Sequence, residues 1–241
     1  LSGGLDSGAL VALIQQLTRG GRPAMDNGRL KTVSIGFEQQ DYDEAPLARS
    51  LARELATDHH PVNFSAGDFE DYPRVMQHLE EPQCSATALP LYCLYRACRR
   101  AGLTVVLTGE GADELLGGYH WHRGDALMRP LLQLPGPLCR WLAASPLPMS
   151  TAARRVLARS APDIATRYRH WLEVPAAAQR WGLLSDDVVG ALAANDANPL
   201  LSSWAEKIAG LQTASPLNQT LWLQAQTRLV DFINFEVDKM S

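Results

Sequence analysis

Apolar positions in the first half of the chain switch between two periods. Ala9, Leu10, Leu13, Ile14 and Leu17 recur at helical spacing, so the spacing predicts an amphipathic helix directly after the first seven residues. Lys31 to Phe37 reads as a strand. Ala45, Ala48, Leu51, Ala52 and Leu55 then form the stripe of a helix starting near Asp43-Glu44, with Pro46 tolerable in its first turn. His60, Val62 and Phe64 alternate as on a short strand. Phe69, Tyr72, Val75, Met76 and Leu79 fit a helix. Leu91, Leu94, Tyr95 and Cys98 fit another, closed by Gly102. Thr104 to Leu107 reads as a compact buried strand, and Leu1 as the last residue of a further one. Arg19 to Arg29, rich in Gly, Pro and Asn, reads as a loop. Strands alternating with helices predict an α/β fold: a parallel twisted sheet flanked by helices, Rossmann-like, with right-handed crossovers.

Past about Asp125 the strand signals stop. Pro130, Pro135, Pro137, Pro146 and Pro148 interrupt the chain, and helical stripes follow. The clearest runs from about Leu217 to Lys239, with Leu221, Gln224, Arg228, Asp231 and Phe235 along it. The division predicted is a core over 1–124 and a helical extension of the same domain over 125–241. Arg154, Arg155, Arg159, Arg167 and Arg169 read as a solvated face.

Composition narrows the classes. A formal net charge of -4 gives no electrostatic reason to expect nucleic acid or an anionic membrane. No apolar run is long enough to span a bilayer, and the first residues do not read as a signal peptide. Of Cys84, Cys93, Cys98 and Cys139, none forms a C-x-x-C pair or a zinc spacing. Cys93 and Cys98 lie in a helical stripe and read as buried thiols, which fits a reducing cytoplasm. The chain opens at what should be the carboxyl end of a strand, so it reads as a piece of a longer protein.

Two polar loops carry the chemistry. Ser2-Gly3-Gly4-Leu5-Asp6-Ser7 is a turn feeding a helix N-terminus, where unpaired N–H groups and the helix dipole favour an anion. Two glycines let that anion come close, and Ser2 and Ser7 add hydroxyl donors. Asp6 would repel a bare phosphate, so its presence points to a divalent cation between them. The plain alternative is a capped loop, since Asp and Ser both cap helices. The second loop, Thr108 to Glu114, holds Glu110, Asp113 and Glu114. It is either a solvated cap or a source of magnesium ligands, Asp113 joining Asp6. In a parallel sheet both loops sit at carboxyl ends of strands, where ligands bind.

The first string resembles the PP-loop, S-G-G-x-D-S, of ATP pyrophosphatases, and it lacks the Gly-Lys-Ser/Thr of a Walker A loop. Together with Gly109-Glu110-Gly111-Ala112-Asp113-Glu114-Leu115-Leu116-Gly117-Gly118-Tyr119, it resembles the synthetase domain of glutamine-dependent asparagine synthetases. Weaker similarity covers Tyr42-Asp43-Glu44, His59-His60, Glu80-Glu81-Pro82, Ala88-Leu89-Pro90 and the ending Glu236 to Ser241.

The resemblance implies an ATP-dependent amide ligase. Aspartate's side-chain carboxylate attacks the α-phosphorus of ATP, pyrophosphate leaves, and ammonia converts β-aspartyl-AMP to asparagine and AMP. It implies that Ser2, Gly3, Gly4 and Ser7 hold pyrophosphate, and that Asp6 and Asp113 hold Mg2+. Leu1 and Ile35 match positions lining the adenosine pocket, and Thr108 and Gly109 match backbone that contacts the nucleotide. Glu110 matches the catalytic glutamate and is a candidate base for the incoming ammonia. The expected partners are aspartate, ATP and ammonia, an N-terminal glutaminase domain of the same polypeptide, and a second copy in a possible homodimer. Cys84 replaces a residue commonly polar or acidic in the family. That widens the choice of acceptor to other acids, as in β-lactam synthetases or biosynthetic-cluster amidotransferases. β-Lactam synthetases carry Tyr at the position of Glu110, so Glu110 favours amination by ammonia. A non-catalytic nucleotide-binding module is the third reading.

Overall fold

The computed structural model describes residues 1–18, 29–39, 43–81, 85–132, 134–161, 163–172, 182–194, 199–211 and 214–241. Most of the predicted loop from Arg19 to Arg29 lies outside these, as do Tyr42, Pro82, Cys84, Pro162 and Pro175. The chain divides into two compact units, Leu1–Ala112 with Val230–Ser241, and Asp113–Leu229. The first begins with α1 (Leu5–Thr18), β1 (Lys31–Phe37), α2 (Ala45–Glu54) and β2 (Asp58–Phe64). A 3-10 turn (Ala66–Asp71), α3 (Tyr72–Leu79) and α4 (Ala88–Arg100) follow. The short α5 (Ala112–Leu116) leads into the second unit. Its helices are α6 (His120–Leu132), α7 (Gly136–Ala144), α8 (Thr151–Ala158), α9 (Ile164–Leu172), α10 (Asp186–Ala194), α11 (Pro199–Ala209) and α12 (Pro216–Gln226). A π-helical stretch (Arg228–Asn234) and α13 (Phe235–Met240) close the chain.

In the first unit β1 and β2 pair in parallel, from Lys31 opposite Asp58 to Phe37 opposite Phe64. Asp43 Oδ1 accepts from Phe37 N at 3.2 Å and Ala45 N at 3.0 Å, so one carboxylate ends the strand and starts α2. Side chains alternate between faces of a strand. Thr32, Ser34 and Gly36 therefore share a face with His59 and Pro61, and α2 covers it: a Cβ on Gly36 would lie 2.9 Å from Ala45 Cβ. Ala45, Ala48 and Ala52 are buried there, as their spacing predicts. The other face offers Ile35 and Phe64 to a core of Val75, Leu79, Ala88, Leu89, Cys93, Tyr95 and Met240. Fully burying a Leu or Val side chain is worth roughly 1.5–3 kcal/mol, so Val75 and Leu79, both 0% exposed, fasten α3. Cys93 and Cys98 are buried free thiols, as read.

The 3-10 turn is held at its start by Asp68. Its Oδ2 accepts from Ser65 N at 2.8 Å and Ser65 Oγ at 3.0 Å, while Oδ1 lies 3.2 Å from Arg96 Nη2. The Ser65 backbone bond, above all, lowers the Asp68 pKa. A depressed carboxylate contributes stability above its unfolded pKa and loses it as pH falls through the folded value. Below about pH 4 the protein is therefore expected to lose stability faster than an Asp68→Asn variant. Parallel acid-denaturation curves would contradict this.

The sequence-based expectations need four corrections. The sheet among the described residues has two strands: Thr104–Leu107 is unpaired, and Val105, Val106 and Leu107 are 79%, 38% and 65% exposed. A four-residue apolar run does not specify its neighbour, and burial of a strand depends on one. In α1 the buried residues are Gly8 and Val11, whereas Leu13 and Leu17 are exposed. Leucines occur on more than one side of this helix, so periodicity leaves the face open. Packing selects the Gly8 side, where Leu51 of α2 approaches. The last helix is broken at Thr227, whose Oγ1 donates to Leu223 O at 2.7 Å and whose backbone leaves helical angles. The basic residues are not simply a solvated face. Arg154 donates to the carbonyls of Ala143, Ser145 and Leu147, Arg159 to His170 O, and Arg167 pairs with Asp125 at 3.2 Å.

Candidate functional site

The first loop is knitted by its own serines. Ser2 Oγ accepts from Gly4 N at 3.0 Å, and Ser7 Oγ accepts from Ser2 N at 3.0 Å. The two hydroxyl oxygens lie 2.9 Å apart. One hydroxyl hydrogen makes that bond, so the other remains for a ligand. Gly8 N reaches Gly4 O at 3.2 Å, and the N–H groups before it lie at the open end of α1. Leu1 N donates to Val33 O at 2.7 Å, anchoring the loop's start to β1.

The two glycines differ. A Cβ on Gly3 would lie 2.5 Å from Leu47 Cβ, so its missing side chain serves the packing of α2. At Gly4 the near atom among the described residues is Ser2 Oγ at 3.1 Å, and Gly4 and Asp6 are exposed. Gly4 is thus the more open of the two.

The structure brings the second loop to the first through Gly109. A Cβ there would lie 3.0 Å from Ser7 N and 3.2 Å from Asp6 Cβ. Thr108 and Glu110, its neighbours in the chain, are exposed, whereas Gly111 is buried with φ 86°. The charge of Glu110 acts on Tyr95, whose phenol is held above its ordinary pKa first by burial and then by that carboxylate. Tyr95 Oη is buried and has no hydrogen-bond partner among the described residues. Ile35, the remaining predicted pocket residue of this unit, is half-buried in β1.

In the second unit Asp113 sits at the start of α5. Its carbonyl accepts from Gly117 N at 3.0 Å and Gly118 N at 3.1 Å. A Cβ on Gly118 would fall 1.8 Å from Asp113 Oδ1, so only glycine permits the observed carboxylate position. Glu114 has a different part. It is 1% exposed, accepts from Tyr119 Oη, and lies 3.4 Å from Arg228 Nε. Arg228 also sits over the Tyr119 ring, 5.4 Å from its centroid. Burial, then the Glu114 bond, pushes the Tyr119 pKa up to about 12. His122 Nε2 and Gln224 make a second buried pair, 2.8 Å apart. Sequence reading placed Arg228 on a helix without finding this partner; a separation of over a hundred residues leaves no local signal.

Glu236, in α13, belongs to the ending that the sequence reading matched to the family without giving it a role. It is buried and accepts from Ser85 Oγ and Thr87 Oγ1, each at 2.8 Å. Lys239 pairs with Glu80 at 2.5 Å. These contacts brace both ends of the segment that begins Glu80-Glu81.

Among the described residues no group of three or more His, Cys, Asp and Glu is placed to hold a metal. Asp6, exposed in the first turn of α1, is a hard oxygen donor of the kind Mg2+ takes beside phosphate and water oxygens.

The family model described as asparagine synthase matches residues 1–241, the whole chain. The chain belongs to the asparagine synthase family. It is 30% identical over 171 residues to asparagine synthetase [glutamine-hydrolyzing] 1 of Bacillus subtilis, covering 70% of this chain and 26% of that protein. It is 32% identical over 128 residues to asparagine synthetase [glutamine-hydrolyzing] 2 of Arabidopsis thaliana, covering 51% and 22%. It is also 32% identical over 150 residues to amidase chyE of Penicillium rubens, covering 56% and 22%. The chain spans about a quarter of the length of these curated relatives. No helix among the described residues is long and apolar enough to cross a membrane.

Proposed function

We propose that this asparagine synthase family chain is the synthetase portion of an ATP-dependent amide ligase. It adenylates the side-chain carboxylate of aspartate, releases pyrophosphate, and aminates the acyl group with glutamine-derived ammonia. The observation that carries the reading is the contact of Gly109 with Asp6 and Ser7, which makes the two acidic loops neighbours. Ser2, Gly3, Gly4 and Ser7 hold the departing pyrophosphate through backbone N–H groups, the spare hydroxyl and the α1 dipole. Leu1, Ile35, Thr108 and Gly109 contact the nucleoside. Asp6 and, by the resemblance, Asp113 would hold Mg2+, which would supply charge neutralisation at the phosphates. Glu110 takes the proton of the attacking ammonia, a base being needed as nitrogen acquires positive charge in forming the C–N bond.

The test is ATP–pyrophosphate exchange by the full-length protein, with aspartate and then with other carboxylic acids. Aspartate-dependent exchange supports the assignment. Exchange with another acid alone moves the protein to a same-scaffold ligase, and nucleotide binding without exchange ends the ligase reading. Glu110→Gln is expected to keep nucleotide binding and lose amide product by about a hundredfold, within the usual range for a general base. Unchanged asparagine output would remove Glu110 as the base.

A further inference from the structure

Three arginines of the first unit converge on a cleft that the ligase chemistry does not use. Its volume is about 410 Å3, and its lining includes Arg29, Arg49, Arg53, Thr57, His59 and Pro61. It lies at the opposite end of α2 from the Ser2–Ser7 loop. Gly3 of that loop meets Leu47 in the first turn of α2. Arg53 is in the last turn, Arg29 lies two residues before β1 and Thr57 immediately precedes β2. A ten-residue helix is roughly 15 Å long, so the cleft is a separate place in the fold.

Arg49 and Arg53 are four apart, on one side of α2, where like charges repel. Among the described residues no carboxylate lines the cleft, and none of the three arginines has a carboxylate in ion-pair range. The usual employment for a cation in a last turn is to serve the free carbonyls there. Here the chain serves them itself. Leu55 N bonds to Leu51 O, Ala56 N to Arg53 O and Thr57 N to Ala52 O, with Ala56 in the left-handed region, and Gln15 Nε2 donates to Leu55 O. The cleft floor is rigid. His59 Nδ1 is 3.0 Å from Thr32 Oγ1, its Nε2 is 3.1 Å from Ser34 Oγ, and Thr32 bonds to Thr57 at 2.9 Å. Burial chiefly, then the Leu1 ammonium, His60 and Arg49, lowers the His59 pKa, so the ring lines the cleft as a neutral group.

We propose that this cleft binds a small oxyanion of the phosphate class, gripped by Arg29, Arg49 and Arg53. Guanidinium forks match the paired oxygens of such an ion, and more than one fork is available to a doubly charged guest. The site goes beyond the ligase reading and does not depend on it.

The experiment titrates inorganic phosphate and inorganic pyrophosphate into the full-length protein at low ionic strength, by calorimetry and by the ring-proton NMR signal of His59. The expected result is saturable binding that moves the His59 signal. Arg49→Gln/Arg53→Gln should weaken it by about tenfold or more, as loss of charge-assisted bonds requires. Ser7→Ala, in the other loop, should leave the His59 response in place. Stronger response to pyrophosphate than to phosphate identifies the two-phosphoryl guest, and the reverse the single one; both support the site. An unmoved His59 signal, equal affinity in the double variant, or binding of citrate with rejection of both phosphates overturns it. ATP–pyrophosphate exchange by the double variant separates this outcome from a failure of the ligase reading.

Discussion

Asp6→Asn lowers magnesium-dependent ATP–pyrophosphate exchange by about a hundredfold or more, the several kcal/mol expected for losing a metal that stabilises phosphate charge. The substitution is selective for charge. Asparagine has nearly the same shape, so the close approach of Gly109 to Asp6 Cβ survives. Asp6 is exposed in the first turn of a 14-residue helix, where a negative charge contributes about 0.3–1 kcal/mol through the dipole. The fold should therefore tolerate the change. Measuring exchange against magnesium concentration, beside thermal unfolding, distinguishes a lost ligand from a lost fold. Asp113→Asn is the companion variant. If both exchange pyrophosphate at the parental rate, the magnesium assignment is gone.

Arg228→Met carries the largest expected effect on stability, a loss of about 3 kcal/mol, because it leaves a buried carboxylate without its cation. Glu114 is 1% exposed and, once Arg228 is gone, keeps the Tyr119 hydroxyl as its partner among the described residues. Arg228 also loses its position over the Tyr119 ring. Adding Glu114→Leu to Arg228→Met should recover most of the loss, since removing both charges also removes their desolvation cost. Urea denaturation of the parent, the two single variants and the double variant measures the coupling. A double variant as unstable as the sum of its parts would show that Glu114 and Arg228 act independently.

Local chemistry was legible in the sequence, and long-range partnership was not. The alanine stripe of α2 and the alternation of β2 need only a neighbour's presence, so period alone located them. The serine-glycine loop was legible because its conformation is set within seven residues. In α1, by contrast, two sides carry leucines, and only the approach of Leu51 to Gly8 decides between them. Val105 to Leu107 failed for the same reason, since a ladder needs a second chain segment that no short window contains. At the candidate site, residue types announced Asp6, Glu110 and Asp113 as chemistry. The different employment of Glu114 depends on an arginine far along the chain, and the packing of Gly3 against Leu47 depends on a helix that no local window contains.

Met240 lies in the same core as Val75, Leu79 and Leu89, and Glu236 clasps Ser85 and Thr87. Residues 113–229 are therefore an insertion within the first unit's chain. On the ribosome, that unit's strands emerge early yet wait for more than a hundred further residues before their core is sealed. All the residues of the insert are therefore made before that core can be completed by Met240.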